Sequence, residues 1–82
     1  MCLGIPGQIV ELTGTDKQVG SVEVMGSTRS IHLGILAPEE VQIGKWVLIH
    51  AGLAIRPLEQ DEASQLLQVI KELDEYFKEE QS

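Results

Sequence analysis

The sequence predicts a mainly β fold: a small antiparallel barrel over residues 1–58, with an acidic amphipathic helix over residues 59–82 belonging to the same domain. Three observations carry this expectation. Apolar residues alternate with period two in several short runs punctuated by glycine and proline, the pattern of half-buried strands. From about Glu59 the period lengthens to three and four, the spacing of one helix face. Eighty-two residues hold one core and no second, and a single Trp, Tyr and Phe leave that core largely aliphatic.

Taken in order, Pro6-Gly7 reads as a turn, and Gln8-Ile9-Val10-Glu11-Leu12 as the first strand. A loop containing Gly14, Asp16 and Gly20 follows. Ser21-Val22-Glu23-Val24-Met25 alternates again, and Gly26-Ser27 breaks it in the manner of a hairpin. Ile31, Leu33 and Ile35 form an inward set, with Ser30, His32 and Gly34 on the other face. Ala37-Pro38-Glu39-Glu40 is a second loop, leading through Val41-Gln42-Ile43-Gly44-Lys45 to the strongest strand, Trp46-Val47-Leu48-Ile49-His50-Ala51. Its inward face is Val47, Ile49 and Ala51. Gly52 marks a bulge or bend, and Leu53-Ala54-Ile55-Arg56 continues until Pro57 stops pairing. Short strands in this number close most simply into an OB-like antiparallel barrel, which removes exposed edges.

In the helix, Ala63, Leu66, Leu67, Ile70, Leu73 and Phe77 fall on one stripe over about 17 residues. Glu59 or Asp61 supplies negative charge at the start and Lys78 positive charge near the end, as the helix dipole favours. The stripe is expected to lie on the barrel, with a partner's surface as the alternative.

Composition excludes several functions. The net charge is −7, and eight of the thirteen acids stand in residues 59–82 against only Lys71 and Lys78. With no basic patch to neutralise phosphates, nucleic acid is not an expected ligand. No apolar run is long enough to span a membrane, and Met1-Cys2-Leu3 lacks the basic and apolar regions of a signal peptide. One cysteine makes no internal disulfide, which points to a reducing compartment and a cytoplasmic location.

Most chemical motifs are missing: the chain has no CxxC pair, no HExxH, no phosphate-binding glycine loop and no Ser-His-Asp set. One thiol and two histidines remain, so an unaided enzyme is not expected. Cys2 follows the initiator methionine, which is normally removed ahead of so small a residue. The adjacent ammonium would then lower the thiol pKa and favour thiolate, a soft ligand suited to iron or another transition metal. If the amine lost its proton, sulfur and nitrogen could close a five-membered chelate. Equally, Cys2 reads as a small hydrophobe tucked into the barrel end, and the residues alone do not choose. By strict alternation His50 faces outward with Trp46 and Leu48, a row that fits a partner-binding face. A histidine hydrogen-bonded to nearby backbone fits as well. His32 lies on an ordinary exposed face and is assigned no role.

Two blocks carry a family resemblance. Met1-Cys2-Leu3-Gly4-Ile5-Pro6-Gly7-Gln8 and Gly44-Lys45-Trp46-Val47-Leu48-Ile49-His50-Ala51-Gly52-Leu53-Ala54 resemble, in that order, the HypC (HupF) family of hydrogenase maturation chaperones. Length and the closing acidic helix agree, so the resemblance spans essentially the whole chain. Leu53 stands where many members have Phe, Met25 replaces a cysteine that some members carry before Gly26, and the loop around Ala37 to Gln42 is shorter than in some relatives. The resemblance implies a non-enzymatic carrier in the assembly of the [NiFe]-hydrogenase active site. It would pair with HypD, an iron–sulfur scaffold protein on which an iron with cyanide and carbon monoxide ligands is built. It would then help deliver that iron to the precursor of the hydrogenase large subunit. Carried over by motif, Cys2 is the ligand of the transiently bound iron and a partner contact, and His50 is the histidine of the second block. Gly4, Pro6, Gly7, Trp46 and Leu48 join the expected partner-binding set.

A generic barrel-shaped interaction module with an incidental cysteine is the alternative, since Val41-Gln42-Ile43-Gly44-Lys45-Trp46-Val47 also resembles the turn-into-strand pattern of small SH3-like and OB-like barrels. An N-terminal-nucleophile hydrolase acting through Cys2 fails on size, because no pocket or oxyanion site is evident.

Overall fold

The first strand runs straight through Pro6 and Gly7. In the computed structural model, which describes residues 4–13 and 18–81 with side chains as far as Glu75, strand β1 covers Ile5–Thr13. It pairs on one side with β2 (Val19–Val24) and on the other with β4 (Trp46–His50). Strands β3 (Ser27–His32) and β5 (Leu53–Leu58) complete a closed barrel of order β1-β2-β3-β5-β4. Four seams are antiparallel. The fifth, β3 to β5, is parallel and short, with His32 opposite Leu53. The expected small OB-like antiparallel barrel with a C-terminal helix is present, and its one parallel seam has a topological reason: an odd number of strands cannot alternate direction around a closed ring.

Pro6-Gly7 is not the expected turn, because both residues are paired, Pro6 with Leu48 and Gly7 with Val47. Gly20, expected in a loop, lies within β2. A Cβ there would come within 2.8 Å of Leu33 Cδ1 and 2.9 Å of the Glu11 carbonyl oxygen, so glycine lets β2 pack tightly against β1. The expected hairpin near Gly26 is present, one residue earlier than Gly26-Ser27, and the bulge or bend expected at Gly52 is a second hairpin. Met25-Gly26 and Ala51-Gly52 are two-residue connections with positive φ at both positions (50° and 90°, 54° and 81°), the combination that suits the right-handed twist of the flanking strands. Ala51 therefore leaves the inward face on which alternation put it and is exposed. Pro57 does not stop pairing: β5 continues to Leu58, opposite Trp46.

β3 is displaced toward the N-terminus of its expected span. It starts at Ser27 and ends at His32. Leu33 is still buried, held by its N–H donating to the Gln18 carbonyl at 2.7 Å. Ile35 lies in a turn and is 62% exposed, while Leu36 turns into the core instead. A 3₁₀ turn over Pro38–Glu40 follows, with the Glu40 carboxylate accepting from the Ala37 N–H at 2.8 Å. Val10 on β1 and Ile55 on β5 are extra residues at register shifts; such bulges sharpen the local bend that closing a small barrel requires.

The interior is aliphatic: Ile9, Val22, Ile31, Leu33, Leu36, Val41, Val47, Ile49 and Ala54 form one buried cluster. Helix α1 spans Gln60–Gln81, 22 residues and longer than expected. Glu59 precedes it, and its N–H donates to the Glu62 carboxylate at 3.1 Å, the reach-back half of a capping box. Glu62 also pairs with Arg56 at 3.5 Å. The helix lies against β1 and β4, where Ala63 is fully buried. Along the stripe Leu66, Leu67 and Ile70 are half-buried and Leu73 is exposed, so only the first turns cover the barrel. Phe77 and Lys78 lie beyond the described side chains. Among the described residues no helix is long and apolar enough to cross a membrane.

Candidate functional site: the β1–β4 seam and the adjoining barrel mouth

The two blocks that carry the resemblance are some forty residues apart in the chain and adjacent in the fold. Ile5 pairs with Ile49, Pro6 with Leu48, Gly7 with Val47 and Gln8 with Trp46. One residue beyond the Ile5–Ile49 pair, Gly4 and His50 flank that end of the seam. At the other end the pairing continues past Gln8 and Trp46, where the Ile9 N–H donates to the Lys45 carbonyl at 2.9 Å and the Gly44 N–H to the Ile9 carbonyl at 2.8 Å. The Gln8 amide nitrogen reinforces it, donating to the Gly44 carbonyl at 3.2 Å.

Opposed residues in an antiparallel pair point to the same side. Gly7 and Val47 therefore face inward, as do Ile5 and Ile49. Gln8, Trp46, Pro6, Leu48 and His50 face outward. The expected outward row is present but is not a free surface. Trp46 and Leu48 are half-buried, and α1 packs against the same strand, β4, and against β1; His50 alone of the three is exposed. Pro6 is fully buried and Gly7 buried, so neither presents a side chain to a partner. Their part is to build the seam. Gly4 is half-buried beneath Leu48. Cys2 lies outside the described residues, two positions before Gly4.

Trp46 lines an open groove of about 450 Å³ with Gln8, Lys45, Leu58, Glu59 and Glu62, formed where α1 starts beside the barrel. At the end of the barrel nearer Gly4 and His50, a wider recess of about 810 Å³ is lined by Ile5, Val24, Met25, Arg29, Ile49 and Gly52. Ile5 and Met25 expose apolar surface there, with Arg29 as the one charged neighbour in that lining. The sequence reading missed this mouth. Its walls come from the start of β1, the β2–β3 hairpin and the β4–β5 hairpin, which only barrel closure assembles. The available signal was the pair of glycine-ended hairpins at Gly26 and Gly52, both of which open toward the same end.

No cluster of three or more His, Cys, Asp or Glu side chains able to hold a metal occurs among the described residues.

Comparison with known proteins agrees with the two blocks. The chain is 38% identical over 77 residues to the hydrogenase maturation factor HypC of Rhodobacter capsulatus, covering 92% of this chain and 80% of that protein. It is 32% identical to the hydrogenase maturation factor HybG of Escherichia coli K12, with 90% and 93% covered. It is also 32% identical to HypC of Helicobacter hepaticus along its entire length, covering 92% of that protein. The HupF/HypC family model matches residues 1–70, which take in the whole barrel, both motif blocks and the first turns of the helix; this chain belongs to the HupF/HypC family of hydrogenase maturation chaperones.

Proposed function

We propose that the protein is a [NiFe]-hydrogenase maturation chaperone that carries iron between two partners. One is a HypD-type iron–sulfur scaffold protein, where the iron acquires cyanide and carbon monoxide ligands; the other is the precursor of the hydrogenase large subunit. In this reading the ligated iron is cargo, and Cys2 supplies the thiolate that holds it. A thiolate is a suitable soft donor for a low-spin iron with strong-field ligands, and a single protein ligand lets the cargo pass to a partner's cysteines. His50 contributes at the same place, as an exposed imidazole able to donate to or accept from a partner or a cyanide nitrogen.

The observation that supports this reading most directly is the β1–β4 register. Two peptide units separate Cys2 from Gly4, a reach of at most about 7 Å, and Gly4 and His50 stand together at the end of the seam. The apolar mouth beside them offers a partner a concave, weakly charged surface, of the kind that interface cores favour.

The test uses the native complex. Cys2→Ser and His50→Ala are expressed in a hydrogenase-producing strain lacking the wild-type gene, and each is recovered with its scaffold partner. Cys2→Ser should be recovered with the scaffold yet without the ligated iron, read by metal content and by the infrared bands of bound cyanide and carbon monoxide, and hydrogenase activity should be lost. His50→Ala should keep its melting temperature, as an exposed substitution does within about 0.5 kcal/mol, while weakening partner binding. Full hydrogenase activity with Cys2→Ser would overturn the carrier reading and leave a plain interaction module.

A further inference from the structure

We infer that the free edge of β3 is a strand-addition site, where an extended segment of another protein pairs with the backbone of Thr28 and Ser30. That segment carries apolar side chains at alternate positions, which enter the barrel mouth, and a carboxylate opposite Arg29. The site rests on the reading of the mouth as a partner surface and not on Cys2.

The edge follows from the alternation of hydrogen bonds. β3 pairs with β2 along its whole length, from Val24 opposite Ser27 to Val19 opposite His32. A two-residue hairpin is closed by a hydrogen-bonded pair, here Val24 with Ser27, and every second pair repeats it. The N–H and C=O groups of Ser27, Arg29 and Ile31 therefore turn toward β2, and those of Thr28, Ser30 and His32 turn away from it. On that far side His32 is paired with Leu53 of β5, and its N–H donates to the Gly52 carbonyl at 3.1 Å. The β4–β5 hairpin ends there. Thr28 and Ser30 continue the row past it, and among the described residues no backbone group answers theirs. Residues 27–30 are all exposed. Donors and acceptors set out at ladder spacing on an exposed edge are a template for another strand.

The mouth beside this edge suits one row of side chains. Ser27 and Arg29 share a face with the buried Ile31, and all three line the mouth together with Ile5, Met25 and Ile49. An added antiparallel strand places on that face the residue opposite Arg29 and those two positions to either side of it. Its remaining residues point outward with Thr28 and Ser30. Arg29 is the one charge in the lining, and on its free side it forms a pair without hydrogen bonds, the kind that brings side chains closest. A carboxylate is the group that matches it there. A second copy of this chain does not. The antiparallel register that uses Thr28 and Ser30 of both copies sets Arg29 against Arg29, and like charges directly opposed are unfavourable. The occupant is therefore a different chain.

The probe is a synthetic peptide with blocked ends, Thr-Val-Thr-Asp-Thr-Val-Thr, added to the isotope-labelled full chain. NMR follows the shift and hydrogen exchange of each amide. At about nine-tenths saturation the Thr28 and Ser30 amides should exchange about ten-fold more slowly, while those of Arg29 and Ile31, already bonded to β2, change little. Thr28→Pro deletes one edge donor at a place where proline is tolerated, because that N–H faces away from β2. It should fold and bind the peptide about ten-fold more weakly. Thr28→Ala keeps the N–H and should bind within about two-fold of wild type. Arg29→Glu, or Lys in place of the peptide's Asp, should weaken binding about ten-fold, and the two changes together should restore most of it. This charge swap keeps the test decisive if Thr28→Pro folds poorly. Unchanged exchange at Thr28 and Ser30, undiminished binding to a folded Thr28→Pro, or indifference to the charge swap would each overturn the site. Such a failure alongside iron loss in Cys2→Ser strikes the strand site alone. Iron kept in Cys2→Ser strikes the carrier reading and leaves the peptide result standing.

Discussion

Gly7→Ala tests whether β1 is packed as tightly as its register implies. Gly7 faces the interior opposite Val47, and its missing side chain is replaced by its neighbours. A Cβ would lie 2.6 Å from Val22 Cγ1, 2.7 Å from Ile49 Cδ1 and 3.2 Å from the Glu23 carbonyl oxygen. Ordinary carbon–carbon contact is about 3.5–4.0 Å, so two side chains must each retreat by roughly 1 Å. Ile49 can turn its terminal methyl toward the mouth, but Val22 is fully buried and has no such exit. Overpacking of this kind costs about 1–3 kcal/mol. For 82 residues the unfolding entropy at the midpoint is about 0.17 kcal/mol/K, so the melting temperature should fall by about 6–18 °C. Thermal unfolding followed by circular dichroism measures this, with Gly34→Ala as the control. Gly34 has open space around the corresponding position, so its substitution should be neutral or stabilise by up to about 1 kcal/mol through the unfolded chain. Adding Val22→Ala to Gly7→Ala should cost less than the two single losses together, because the smaller side chain makes room for the new methyl. A Gly7→Ala protein within about 0.5 kcal/mol of wild type, or strict additivity with Val22→Ala, would refute the packing argument.

Two further outcomes follow from local geometry. Ala51 holds φ at 54° ahead of Gly52, a conformation that Asn adopts with less strain than Ala; Ala51→Asn should therefore raise stability by about 1 kcal/mol, or the melting temperature by about 6 °C, in the same thermal assay. Glu62 both accepts from the Glu59 N–H and pairs with Arg56 while half exposed, so Glu62→Ala should cost about 0.5–1 kcal/mol. Glu62→Gln retains the reach-back hydrogen bond and should cost less, and the gap between Glu and Gln should close in about 1 M salt, where surface ion pairs are screened; urea unfolding with and without salt measures both.

Periodicity alone identified the inward residues Ile31, Leu33, Val47 and Ile49, all of them buried, because alternation on a strand is a local property that any closed barrel preserves. It misplaced Ile35 and Ala51, where the chain leaves β geometry: the alternating pattern runs on in the letters after the backbone has turned. Pro6-Gly7 and Pro57 were misjudged for a related reason. Each has the composition of a strand boundary, and each is held in a strand by a partner that local sequence does not reveal, Leu48 and Val47 for the first two and Val47 again for Pro57. The helix was legible from its stripe and its acidic start, whereas its length and the exposure of Leu73 depend on how far the barrel extends beneath it.

By itself, the sequence determined the class of fold, the aliphatic core and the lone thiol, since each follows from residue type and spacing along the chain, and its two motif blocks carried the resemblance to the family. Tertiary structure alone decided that residues 4–8 lie beside residues 46–50, that α1 packs against β1 and β4, and that two hairpins and the start of β1 form one mouth. Those arrangements join segments far apart in the chain, and their geometry comes from closing five strands into a ring: strand order, register and the single parallel seam are set together by closure, and no one segment encodes them.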